Sequence, residues 1–124
     1  MHGELMVIVT YSIKREGNPK YWYILFQALD SDKKEIGYQE VEFLPESNVA
    51  YLIHIRVDKK YRNNGVAKQI MEEMFRVLIE DMQIPKILIP LYSRDGDKYI
   101  KPVIDRYRQK YPNTIIKDEI EDII

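Results

Sequence analysis

Over the first half of the chain, apolar and polar residues alternate in short runs rich in β-branched and aromatic side chains, each closed by a cluster of turn-forming residues. A period of two is the signature of strands with one buried face. The pattern predicts strands over 4–13, 21–29, 36–44 and 49–57, separated by the polar segments 14–20, 30–34 and 45–48. Connections this short join neighbours in an antiparallel sheet. The period then changes to about 3.6. Ala67, Ile70, Met71, Met74, Val77, Leu78 and Met82 fall on one helical face, with Lys68, Gln69, Glu72, Glu73, Arg76 and Glu80 on the other. Glu72 and Arg76 stand four apart in the favourable order, a support of about 0.2 to 0.5 kcal/mol.

After Pro85, the almost wholly apolar run 86–91 predicts a buried strand reached by a crossover helix and lying parallel to the fourth strand. A loop is expected over 92–97. A second amphipathic stripe, Ile100, Val103, Ile104, Tyr107 and Tyr111, predicts a helix ending before Pro112, with Pro102 in or near its first turn. Residues 114–117 suit one last strand, and 118–124 either another or a frayed tail. The fold class expected is α/β (α+β): a mixed sheet of four antiparallel strands entering a βαβ unit.

Composition narrows this to one domain over 1–124. The chain is 45% apolar and 31% charged, with 19 basic and 20 acidic side chains giving a net charge of -1. At this length one core forms, whereas two half-sized domains would each be marginal. No apolar run approaches the roughly 20 residues of a membrane-spanning helix, and the opening residues lack the shape of a secretory signal. The absence of cysteine removes disulfides and thiolate chemistry and suits a reducing compartment, so a cytoplasmic location is expected. Two histidines without ligand spacing argue against a metal site.

The informative stretch joins the fourth strand to the first helix: Val57-Asp58-Lys59-Lys60-Tyr61-Arg62-Asn63-Asn64-Gly65-Val66-Ala67. The first turn of a helix has N–H groups without intrahelical partners, and the helix dipole adds partial positive charge there, so an anion is welcome. Gly65 keeps a Cβ out of a phosphate's way, Ala67 keeps the next turn thin, and Lys59, Lys60, Arg62 and Lys68 add charge. Neither Gly-x-x-x-x-Gly-Lys-Ser/Thr nor Gly-x-Gly-x-x-Gly occurs, which excludes the two commonest nucleotide loops. The same lysines and Arg62, with Tyr61 as a stacking residue, also compose a small nucleic-acid patch; the acidic neighbours and the net charge argue against that use.

Residues 57–67 resemble motif A of the GNAT superfamily of acyl-CoA-dependent N-acyltransferases, whose core Arg/Gln-x-x-Gly-x-Gly/Ala stands here as Arg62-Asn63-Asn64-Gly65-Val66-Ala67. The order strand, loop, long helix, strand, helix agrees from residue 49 to about 111. The resemblance implies acetyl-CoA as acyl donor. Backbone N–H groups of Arg62, Asn63, Asn64, Gly65, Val66 and Ala67, with Lys68 nearby, would hold its pyrophosphate. The main chain of Ile55, Arg56 and Val57 would pair with its pantetheine arm where the fourth and fifth strands splay, and the amide near Val57 would support the acetyl carbonyl. An amine would attack the thioester directly.

The resemblance also offers Tyr107 as the acid that protonates the leaving thiolate, while periodicity makes the same residue a core tyrosine. Tyr51 occupies the position where relatives carry glutamate or histidine, and tyrosine is a poor base at neutral pH. Strand alternation places His54 on the face opposite Tyr51 and Ile53, which suits a structural histidine. Glu40 and Glu42 share a face and read either as ordinary solvated carboxylates or as a relay for a proton through water. No base is therefore named. The helices that relatives insert between their first two strands are missing, so the acceptor side is expected to be open. That suits a bulky acceptor, such as a protein terminus or lysine, or a site completed by a second copy in a homodimer. A catalytically degenerate acyl-CoA-binding module is the alternative to an enzyme.

Overall fold

The computed structural model describes residues 5–15, 20–89 and 94–118. Six strands form one sheet in chain order: β1 (Ile8–Lys14), β2 (Trp22–Leu29), β3 (Glu35–Leu44), β4 (Val49–Val57), β5 (Lys86–Ile89) and β6 (Ile115–Asp118). The first four are antiparallel neighbours. β5 is parallel to β4 and β6 to β5, so each of the last two steps needs a crossover. α1 (Val66–Phe75) and α2 (Arg94–Lys110) supply them.

Both helices occupy one side of the sheet. α1 lies across β1 to β4, and α2 packs on α1 and β6. The strands' alternate residues meet them: Ile24, Phe26 and Ala28 from β2, Val41 and Phe43 from β3, Ala50 and Leu52 from β4, Ile87 and Ile89 from β5. From the helices come Val66, Ile70, Met71, Met74 and Phe75, then Ile100, Val103 and Ile104. Burying each large side chain contributes roughly 1.5–3 kcal/mol, which fixes both register and helix face. Among the described residues no helix covers the opposite face.

Several elements differ from expectation. β1 begins at Ile8 rather than residue 4, because Leu5 and Val7 bond instead to the loop before α1 and to α1 itself: Leu5 N–H to the Asn64 carbonyl (3.0 Å) and Val7 N–H to Gln69 Oε1 (3.3 Å). The first helix is α-helical only to Phe75; Arg76–Asp81 is π-helical, shown by the bond from Met82 N–H to the Val77 carbonyl (2.9 Å). Arg76 pairs with Glu73 and Asp81 rather than Glu72, whose carboxylate is taken by Arg106.

α2 starts at Arg94, inside the expected loop, and Pro102 lies in its interior rather than its first turn. Pro102 is exposed, and the buried stripe beside it holds the helix together in spite of the N–H it lacks. The last strand, β6, is parallel to β5, completing a second βαβ unit where only one was expected. Of the expected tail, residues 119–124 lie outside the described residues, as do 90–91 of the expected fifth strand.

Candidate active site at the end of β4

Among the described residues β4 pairs with β5 at Val49–Lys86, Ala50–Ile87 and Tyr51–Leu88. From Leu52 to Val57 it keeps its β3 partners, except at Ile53, and among the described residues of β5 none pairs with it there. Ile55, Arg56 and Val57 are its last three residues.

The strand runs into a braced loop. Asp58 N–H bonds to the Ile36 carbonyl (2.9 Å), and a single 3-10 turn, Lys59–Tyr61, follows. Asn63 and Gly65 both take left-handed backbone angles (φ 66° and 76°), easy for glycine and tolerable for asparagine. The protein itself spends the loop's carbonyls. Arg62 Nε donates to Val57 O (3.0 Å), Asn64 Nδ2 to the carbonyls of Tyr61 (3.3 Å) and Arg62 (3.0 Å), Leu5 N–H to Asn64 O, and Gln69 N–H to Gly65 O (3.1 Å).

With most of its acceptors engaged, this loop presents donors. The ladder of α1 starts at Gln69, so the N–H groups of Val66 and Ala67 precede it. No acidic residue lies in the first turn to compete with an anion. Arg62, Asn63 and Asn64 are exposed, so side chains do not plug the turn. The Arg62 N–H is turned to the Lys59 carbonyl (3.4 Å), and the row of donors therefore begins at Asn63, one residue later than expected. Tyr61 is half-buried against the core with the Lys60 ammonium 5.5 Å from its ring centroid, which leaves it poorly placed to stack on a base.

On the uncovered face, alternation misplaces His54. Glu42 is opposite Tyr51, Val41 opposite Leu52, and Glu40 opposite His54, so Ile53 is an extra residue in β4. Such a bulge reverses the alternation beyond it. Cross-strand partners share a face, and His54 therefore stands with Tyr51, Glu40 and Glu42, not opposite Tyr51. Its ring centroid is 5.9 Å from that of Tyr38. Next to it a groove of about 260 Å³ is lined by Tyr23, Leu25, Glu35, Tyr38 and Glu40. Burial and a hydrogen bond to Glu40 push the Tyr23 phenol up to about 12.

Tyr107 is elsewhere. It is 8% exposed, stacks on Phe75 (centroids 4.9 Å) and Tyr111 (5.9 Å), and its hydroxyl donates to the Glu72 carbonyl (3.4 Å). Burial raises its pKa, with the nearby Glu72 carboxylate adding to the effect. These contacts are those of a core tyrosine in the helical layer, two turns along α1 from Gly65. Sequence reasoning overlooked Gln69, whose side chain ties Leu5 and Val7 to the loop; its polar place in an otherwise ordinary helix gave no signal.

The model of the acetyltransferase (GNAT) family matches residues 3–95, which takes in β1 to β5 and the whole loop and stops short of Tyr107. Among curated proteins none matches. Solved structures similar in fold include an acetyltransferase of the GNAT family from Staphylococcus aureus Mu50, at 19% identity and TM-score 0.50 over 71% of this chain and 51% of that one. Spermidine/spermine N-acetyltransferase SpeG from Vibrio cholerae matches at 15% identity and TM-score 0.57, over 73% of this chain and 52% of the other. An aminoglycoside acetyltransferase from an uncultured soil metagenomic sample, solved with sisomicin, matches at 15% and 0.54, over 72% and 58%. This chain thus spans about half the length of these structures. With three-quarters of its residues inside the family match, the chain belongs to the acetyltransferase (GNAT) family.

Proposed function

We propose that the protein transfers acetyl from acetyl-CoA to a primary amine by direct attack on the thioester. The observation that carries this reading is the turn at the head of α1, where the Asn64 and Gly65 carbonyls accept bonds from within the protein while the N–H groups of Val66 and Ala67 precede the helical ladder and no acidic residue stands in the first turn. A diphosphate suits the N–H groups of Asn63, Asn64, Gly65, Val66 and Ala67, with Arg62 and Lys68 as charged flank. An amide-bearing pantetheine arm suits the edge at Ile55, Arg56 and Val57. A fixed main-chain donor near Val57 would meet negative charge as it grows on the thioester oxygen, stabilising it at little reorganisation cost. That two structures of similar fold are described as acetyltransferases of polyamines and aminoglycosides supports an amine acceptor.

Ligand-dependent melting tests this reading. Acetyl-CoA at a hundred times its Kd should stabilise the native state by about 2.7 kcal/mol. Gly65→Asp places a carboxylate at the proposed diphosphate site and should abolish the shift while the ligand-free variant still melts cooperatively. No shift in the native protein at saturating ligand would overturn the proposal. Free CoA released with a panel of amines would exclude a module that binds acyl-CoA without turning it over.

A further inference from the structure

We propose that residues 5–7 form a strap that sets the affinity of the loop before α1 for a diphosphate, with Gln69 as the positioning residue that clamps it. The inference rests on the acyl-CoA reading and adds what keeps the donors of that loop turned outward. The bonds of the strap converge on one side chain. Gln69 Oε1 accepts from Val7 N–H (3.3 Å), while Gln69 Nε2 donates to the Leu5 carbonyl and to the Gly65 carbonyl (3.3 Å). A carboxamide that takes one residue's carbonyl and the N–H two residues on stands in for a neighbouring strand. From α1, Gln69 thereby draws the chain ahead of β1 against the loop.

The strap matters because of the peptide it touches. Leu5 N–H donates to the Asn64 carbonyl (3.0 Å). In a planar trans peptide the carbonyl and the N–H that follows it point in opposite directions, so this bond turns Gly65 N–H away from the strap. Next along, the Gly65 carbonyl accepts from Gln69 N–H (3.1 Å) and from Gln69 Nε2, which fixes Val66 N–H in the same manner. Before them, the bond from Asn64 Nδ2 to the Arg62 carbonyl (3.0 Å) fixes Asn63 N–H. Of these three planes, the one between Asn64 and Gly65 flips most easily. Gly65 has a φ of 76°, and glycine populates both signs of φ about equally because no Cβ resists the rotation. The bond that holds the plane comes from outside the loop, at Leu5, and Leu5 is held by Gln69.

Strap and loop meet at the surface, with Leu5 and Asn64 both exposed. Water can take over their bonds, so releasing the strap should free the plane without unfolding the sheet. A flipped plane turns a carbonyl, rather than an N–H, toward an arriving anion. One donor is then lost and one repulsive dipole is gained, while the core beneath α1 stays as it was.

The test measures Kd by titration calorimetry for acetyl-CoA and for adenosine 3′-phosphate 5′-diphosphate, the half of CoA that carries the diphosphate. Gln69→Met keeps the length and neutrality of the side chain and removes the hydrogen bonds of its carboxamide. Leu5→Pro removes the N–H that holds the Asn64 carbonyl and leaves Gln69 in place. A hydrogen bond to a charged group is worth about tenfold or more in Kd, so each variant should bind both ligands about tenfold more weakly. Ile104→Val, a core variant in α2, should lower the melting temperature and keep both native Kd values. Native affinity in Gln69→Met and Leu5→Pro would overturn the strap and leave the acyl-CoA reading standing. So would a loss for acetyl-CoA that the diphosphate half does not share, or an equal weakening in Ile104→Val. Acetyl-CoA that fails to bind the native protein would overturn both.

Discussion

At the scale of single residues, the structure divides chemistry from packing among side chains that look alike in sequence. Tyr107 has its hydroxyl on the Glu72 carbonyl and its ring between Phe75 and Tyr111. Tyr107→Phe keeps the stacking and loses one exchangeable hydrogen bond worth about 1 kcal/mol, so kcat should stay within a few-fold of native. A hundredfold fall in kcat with unchanged KM would instead identify it as the thiolate's acid. Tyr23 differs, because its phenol is tied to Glu40 and raised to about 12. A pKa higher folded than unfolded means stability fully present below pH 10 and lost as pH climbs from 10 towards 12. Tyr23→Phe should therefore flatten the fall in melting temperature over that interval. The loop was legible at this scale because Arg62, Gly65 and Ala67 owe their places to local backbone chemistry. The position of His54 was not, since one unpaired residue reverses a strand's faces without leaving any mark on its composition.

At the scale of elements, the sequence marks the ends of β4 to the residue, and shifts those of its neighbours by small amounts. β-branched alternation identifies an extended segment but cannot say whether a partner strand lies beside it, which is why Leu5 to Val7 read as strand and instead brace Asn64 and Gln69. Likewise a stripe at 3.6 spacing runs unbroken through the π-helical segment Arg76–Asp81, because the same residues stay buried in either winding. What binds the cleft's near wall to α1 is Gly37 on β3, opposite Val57. A Cβ there would lie 3.0 Å from the Arg56 carbonyl, 3.2 Å from Ile70 Cδ1 and 3.4 Å from Val57 Cγ2. The backbone carbonyl cannot move aside without shifting the edge of β4. Gly37→Ala should accordingly cost about 1–3 kcal/mol, read as a lower melting temperature, and should weaken acetyl-CoA binding as well. A variant with lower stability and native affinity would show that β4 yields elsewhere.

Across the whole molecule, the decisive feature is asymmetry: two helices on one face of a six-stranded sheet and, among the described residues, no helix on the other. Ile8, Tyr51 and Ile115, which register places on that open face, are 62%, 40% and 54% exposed. Six strands at about 4.8 Å spacing and some 20 Å of length give a projected footprint of roughly 600 Å², so nearly all of the face would be needed to bury the approximately 800 Å² of accessible surface per partner of a stable interface. Flat and shallow, the face also cannot enclose most of a small ligand in the way a deep pocket does. A bulky acceptor that brings its own surface fits it better than either a second copy or a free amine. Lysines displayed on a peptide or folded protein should then be acetylated with kcat/KM at least equal to that for Nα-acetyl-lysine amide, as measured by mass spectrometry of the products. Sedimentation at micromolar concentration should return the mass of one 14.9 kDa chain. A mass that doubles with concentration would place a second copy on that face, and a preference for the free amine would mean that the open face is not where the acceptor is gripped.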